Sequence, residues 1–220
     1  MKPYTLLIFD WDGTLMDSEA HIVACMQAAM RHSHVEVLSA DAIRNIIGLG
    51  LVEAMQTLFP THTQHTHQTL LDAYRHYFFS DKIPASQLFP QADSVVKQLA
   101  EHDYHLAIAT GKSRRGLDLV LTQSGLAPFF PITRCADETF SKPHPRMLEE
   151  ILTDYDTDAS QALMIGDSTY DLAMANNAGM DALAVTYGVQ RDRQKLLAHQ
   201  PVGIIDCIDE LPQWLNTHQR

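Results

Sequence analysis

Four short apolar runs punctuate this chain, and each stops abruptly at a polar or glycine-containing turn. They are Leu6-Leu7-Ile8-Phe9, Leu106-Ala107-Ile108-Ala109, Ala162-Leu163-Met164-Ile165 and Ala182-Leu183-Ala184-Val185. A run that is apolar at every position buries both faces, as strands do in a parallel sheet covered by helices on each side. Amphipathic stretches lie between them, at Ala92 to His102, Gly116 to Ser124, Arg146 to Leu152 and Tyr170 to Ala178. The alternation predicts a doubly wound α/β sheet, whose ligands collect outside the carboxyl ends of the strands.

Residues 18–79 break that rhythm. No strand is evident there, only helical periodicity around Ala24 to Met30, Leu51 to Phe59 and Leu70 to Phe79, punctuated by Gly48, Gly50 and Pro60. The reading is a catalytic-type α/β core from residues 1–16 and 83–220, with residues 17–82 as a smaller all-helical insertion. Hinges are expected at Met16-Asp17 and from Asp81 to Ser86. The tract Thr61 to His67, with His62, His65 and His67, reads as a solvated loop rather than a metal site. Tyr74, Tyr77 and Phe78 read as packing within the insertion.

Charge narrows the partners. With 16 Lys and Arg against 27 Asp and Glu, the net charge of -11 argues against nucleic acid or an anionic membrane as a bulk partner. It leaves room for a locally positive pocket that binds a small anion. Cys25, Cys135 and Cys207 are widely spaced and read as reduced packing residues. The first apolar run is cut short by Asp10 and lacks a small-residue cleavage site, so a cytoplasmic chain is expected.

Chemistry concentrates where the runs end. Asp10 and Asp12 follow the first run within Asp10-Trp11-Asp12-Gly13-Thr14, two like charges whose repulsion a divalent cation would relieve. The second run ends in Thr110-Gly111-Lys112-Ser113-Arg114-Arg115, where Ser113 suits a helix N-cap and three cations crowd a positive helix terminus, a placement that a bound anion would offset. In Ser141-Lys142-Pro143-His144-Pro145 the prolines limit the local backbone and fix where the Lys142 amine points. The fourth cluster is Gly166-Asp167-Ser168-Thr169-Tyr170-Asp171, with Asp167 and Asp171 on one side of a starting helix. Metal-dependent chemistry on a phosphate explains the set most economically.

These residues, in this order, resemble the haloacid dehalogenase superfamily phosphatases. Asp10-Trp11-Asp12-Gly13-Thr14-Leu15 with Asp17-Ser18 is similar to the first family motif, Thr110 to the second, Lys142-Pro143 to the third, and Gly166-Asp167-Ser168 with Asp171 to the fourth. The helical insertion after the first motif resembles the cap of the phosphoglycolate phosphatase subclass. The resemblance implies Asp10 as nucleophile and Asp12 as general acid and base. It implies Mg²⁺ held by Asp10, the Asp12 main-chain carbonyl and Asp167, with Asp171 beside them, and Thr110, Gly111 and Lys142 binding the phosphoryl group. Arg44, Asn45, Gly48 and Glu53 are candidates for a cap loop that meets the substrate. The expected activity is Mg²⁺-dependent hydrolysis of a small phosphorylated metabolite by a monomer or weak homo-oligomer. A phosphosugar mutase, a pyrophosphatase and an inactive binding protein on the same fold are the alternatives.

Overall fold

The computed structural model describes residues 4–218. Its strands are β1 (Leu6–Phe9), β2 (Met16–Asp17), β3 (Gln87–Leu88), β4 (His105–Thr110), β5 (Ile132–Cys135), β6 (Ala162–Gly166), β7 (Asp181–Val185) and β8 (Gly203–Ile205). Its helices are α1 (Glu19–His32), α2 (Ala40–Arg44), α3 (Leu51–Leu58), α4 (Gln64–Phe78), α5 (Ala92–Glu101), α6 (Arg114–Ser124), α7 (Arg146–Asp154), α8 (Thr169–Asn177), α9 (Arg193–Leu197) and α10 (Leu211–His218). Six strands form one parallel sheet in the order β5-β4-β1-β6-β7-β8. The chain winds outward on one side of β1, crosses back, and winds outward on the other, so a crevice opens at the carboxyl end of β1.

Apolar runs suit this position because successive side chains face opposite layers. Leu7, Phe9, Ile108, Leu163, Ile165 and Val185 pack with α5, α6 and α10. Leu6, Ile8, Ala107, Ala109, Met164 and Ala184 pack with α7, α8 and α9. The edge strand β5 escaped the pattern because it is only half-buried, and Arg134 in it pairs with Glu150 and Asp154 at the sheet margin. The other edge strand, β8, is three residues long and starts at a glycine.

Helices α1 to α4 bury their own apolar cluster, including Met26, Met30, Ile43, Met55, Phe59 and Leu70. The chain leaves the sheet through β2 and returns through β3, and these pair antiparallel, Met16 with Leu88 and Asp17 with Gln87. The His-rich tract is a loop only in its first half. Thr63 caps α4 by accepting from the Thr66 backbone, which places His65 and His67 in the first helical turns, where His67 bonds the Phe59 carbonyl at 2.8 Å. Cys25 and Cys135 are buried free thiols, but Cys207 is exposed, its thiol donating to Glu210 Oε1 at 3.4 Å. No helix among the described residues is long and apolar enough to cross a membrane.

The loop after β7 closes tightly over the strand ends. A Cβ at Gly188 would stand 2.3 Å from the Gly13 carbonyl oxygen and 2.4 Å from Asp167. Backbone on one side leaves no flexible neighbour to yield. Gly188→Ala should therefore destabilise the fold by about 2 kcal/mol, lowering Tm by roughly 4–8 °C in thermal unfolding.

Candidate active site

Four strand-end loops converge on one buried cluster of charge. Asp10 is held at the end of β1, where its backbone N–H donates to the Ile165 carbonyl at 3.0 Å. Lys142 arrives from the loop before α7 and is fully buried. Its Nζ lies 2.7 Å from Asp10 Oδ1 and donates to Asp171 Oδ1 at 2.6 Å. Asp171 sits in the first turn of α8, where it forms a capping box: its Oδ2 accepts from the Ser168 backbone at 3.0 Å and hydroxyl at 2.7 Å, and Ser168 Oγ accepts from the Asp171 backbone. Local helix capping thus aims the carboxylate that holds the lysine.

Asp167 fills the remaining side. Its Oδ1 accepts from the Thr14 hydroxyl at 3.0 Å and its Oδ2 from the Val189 backbone at 2.7 Å. Ligand oxygens of Asp10, Asp167 and Asp171 all lie within 4.8 Å of one another. Both carboxylate oxygens of Asp10 are buried without a hydrogen-bond partner, since the ammonium meets Oδ1 outside hydrogen-bond geometry. Buried, unpartnered carboxylate oxygens of this kind are hard donors suited to Mg²⁺. Asp171 has both oxygens engaged, whereas Asp10 meets only the Lys142 ammonium, at Oδ1, and its Oδ2 meets no donor. The residues fit a divalent cation beside Asp10 and Asp167.

Electrostatics describe the same need. Burial pushes the Asp10 carboxyl up to about 7, with the Asp171 and Asp12 charges adding to the rise and Lys142 opposing it. Burial, then Asp171 and Asp10, hold Asp167 well above the usual carboxylate range. Burial alone would depress Lys142, but Asp10 and Asp171 outweigh it and raise the amine above its ordinary value.

Asp12 and Thr110 lie at the same mouth, both buried, and Lys112 reaches back to bind Asp12 with Nζ at 2.8 Å from Oδ1 and 2.9 Å from Oδ2. This pairing was not legible from Lys112's place beside two arginines. Nor does the start of α6 await a free anion: the Arg114 backbone donates to Asp137 at 2.8 Å, Arg114 pairs with Glu138, and Arg115 lies over the Phe79 ring. Ser113 does cap α6, accepting from the Gly116 backbone.

The insertion rests on these loops. A Cβ at Gly111 would stand 2.5 Å from the Leu49 carbonyl oxygen, and the Gly50 N–H donates to Ser141 Oγ at 2.7 Å. Gly48 and Glu53 border the cavity above Asp10 and Asp12, together with Tyr74 and Phe78. Arg44 does not, because Glu19 and Asp41 claim its guanidinium, at 2.7 Å from Glu19. Asn45 is exposed, and its carbonyl accepts from the Tyr170 hydroxyl. Tyr77 likewise stays away from the cavity.

A sequence model described as haloacid dehalogenase-like hydrolase matches residues 7–185. A protein of Dickeya dadantii named probable phosphatase IndB is 34% identical over 96% of this chain and 92% of its own. A phosphoglycolate phosphatase of Yersinia pseudotuberculosis is 28% identical over 93% and 90%. Among solved structures, a haloacid dehalogenase-like hydrolase from Bacteroides fragilis superposes with a TM-score of 0.86 at 26% identity, covering 94% of this chain and 99% of that one. The fold, the order of the strand-end loops and these likenesses agree: the chain belongs to the haloacid dehalogenase-like hydrolases, as a phosphoric monoester hydrolase.

Proposed function

We propose that this protein hydrolyses small phosphomonoesters with Mg²⁺ through an aspartyl-phosphate on Asp10, in the manner of the phosphoglycolate phosphatases it is similar to. The observation that carries the reading is Asp10 itself, whose two buried oxygens lack hydrogen bonds and face a lysine and two further acids. The set Asp10, Asp12, Asp167, Asp171, Lys112 and Lys142 carries a formal charge of minus two, which a divalent cation balances. Held by the Asp10 side chain, the Asp12 main-chain carbonyl and the Asp167 side chain, Mg²⁺ would supply the positive charge against which a carboxylate and a phosphate dianion can approach.

The residues of the chain divide the remaining work. Thr110, the N–H groups near Gly111 and Lys142 orient the phosphoryl oxygens. Asp10 attacks phosphorus, so that a new Oδ–P bond forms as the ester P–O bond breaks. Asp12 gives its proton to the leaving oxygen, then takes one from the water that cleaves the acyl phosphate and frees Asp10. To do so, Asp12 turns one oxygen to the substrate and keeps Lys112 on the other. Asp171 fixes Lys142 rather than touching the phosphate. Helices α1 to α4 serve as a cap over this site, with Gly48 to Gly50 as its contact loop.

Asp10→Asn should cut phosphate release from 4-nitrophenyl phosphate by about 10⁴-fold or more with the circular dichroism spectrum unchanged, and EDTA should silence the unmodified enzyme. Retained Mg²⁺-dependent turnover in the variant would remove Asp10 as nucleophile. Asp12→Asn should lose about 10²–10⁴-fold on ethyl phosphate and far less on 4-nitrophenyl phosphate, whose leaving group needs no proton. Equal losses would deny Asp12 the acid role.

The pH dependence has a definite sign. Asp10 holds its proton up to about 7 when folded, against an ordinary value of 3.8, so the folded state binds more protons between the two. This centre therefore costs the metal-free protein stability as pH rises through that window. Mg²⁺ binds the ionised form, so its stabilising shift in Tm should be larger at pH 8 than at pH 6 in a fluorimetric melt. A shift that ignores pH would place the ion elsewhere.

A further inference from the structure

A cavity of about 270 Å³ extends from Asp10, Asp12 and Thr110 up into the helical insertion. That approaches the volume of ordinary small-molecule sites, about 300 Å³ and upward, and exceeds what a two-carbon leaving group would fill. Its upper walls are apolar and aromatic, formed by Ile22, Met26, Ile46, Leu49, Tyr74 and Phe78. The Tyr74 and Phe78 rings stack at 5.7 Å and 28°, and Phe79 stands edge-on to Phe78 at 5.3 Å. The Tyr74 hydroxyl has no hydrogen-bond partner among the described residues. Burying an apolar ring against such walls is favourable, and edge or offset contacts between rings add to it.

The charges bordering the same cavity are committed or negative. Lys112 is held by both oxygens of Asp12 and lies 4.9 Å from the Phe78 ring centroid. Arg75 is half-exposed and paired with Asp72 at 3.3 Å. Asp137 is negative, and so is Glu53, whose carboxylate has no ion-pair partner among the described residues. A carboxylate on the leaving group would therefore meet two acids, with Lys112 held by Asp12 and Arg75 half-exposed to solvent, at the cost of desolvating its own charge.

From this we infer that the cavity takes an uncharged, ring-bearing leaving group and discriminates against carboxylate-bearing substrates such as phosphoglycolate. The inference rests on the phosphatase reading above and gives it a substrate class. Tyr74 and Phe78 form the ring platform, and Glu53 repels acids.

The test compares kcat/KM for 2-phenylethyl phosphate, ethyl phosphate and phosphoglycolate, three esters of poor alkoxide leaving groups, so that differences report the cavity and not the chemistry. The phenylethyl ester should exceed ethyl phosphate at least tenfold, with phosphoglycolate the poorest. Phe78→Ala should shrink the phenylethyl-to-ethyl ratio at least fivefold, and Glu53→Gln should raise phosphoglycolate relative to the phenylethyl ester. The unmodified enzyme provides a check that no folding defect can confuse: 2-phenylethylphosphonate should inhibit at least tenfold more tightly than phosphonoacetate. If phosphoglycolate is the best of the three, or phosphonoacetate the tighter inhibitor, the inference is wrong while the phosphatase reading stands. If no phosphomonoester is hydrolysed with Mg²⁺, 4-nitrophenyl phosphate included, both fall.

Discussion

A fully buried ammonium between two buried carboxylates organises this molecule. Desolvating either an ammonium or a carboxylate alone costs several kcal/mol, and only close pairing with good geometry offsets it. Lys142 meets that condition toward Asp171, whose remaining oxygen is fixed by the start of α8. It meets it only in part toward Asp10, where it ion-pairs with Oδ1 at 2.7 Å and leaves Oδ2 without a donor. The asymmetry makes one carboxylate a structural brace and leaves the other open for chemistry. It also requires β1, β6 and the loop before α7 to end in register, because a displaced strand end would strand a charge in the interior.

The sign of the local field follows from the same count. Across the whole chain the net charge is -11, so a phosphate dianion is repelled at long range. Within the site four acids face two lysines, and the imbalance is small enough for a single divalent cation to cancel. With a divalent cation bound, the cluster would no longer repel a phosphate. Burial first, and then the neighbouring acids, raise the Asp10 and Asp167 carboxyls, a cost that a bound cation would offset.

Much of this was legible in the residues. Unbroken apolar runs identify central strands because both of their faces are covered, and acids at the ends of such runs have no packing explanation. Edge strands give no comparable signal: Ile132-Thr133-Arg134-Cys135 is half-buried and mixed in polarity. The partners of long cations were illegible for another reason. Arg44 and Lys112 each sit near plausible substrate loops, yet Arg44 turns to Glu19, 25 positions away, and Lys112 to Asp12, 100 positions away. Spacing constrains neighbours along a helix or strand, and these pairs are set only when separate elements meet. Tyr74 and Phe78 show the same limit, because an aromatic stripe that packs a helix can also wall a cavity.

The insertion touches the sheet loops at the residues beside Thr110, Lys142 and Asp171. Gly111 follows Thr110, and the carbonyls of Gly48 and Leu49 press so closely on it that no side chain would fit. Ser141 precedes Lys142, and its hydroxyl accepts from the Gly50 N–H at 2.7 Å. Tyr170, at the start of α8, donates to the Asn45 carbonyl at 3.0 Å. Three of the four strand-end loops thus bear directly on the segment that borders the cavity. The insertion and the charged cluster are thus joined through main-chain groups, through the Ser141 and Tyr170 hydroxyls, and through close packing at Gly111.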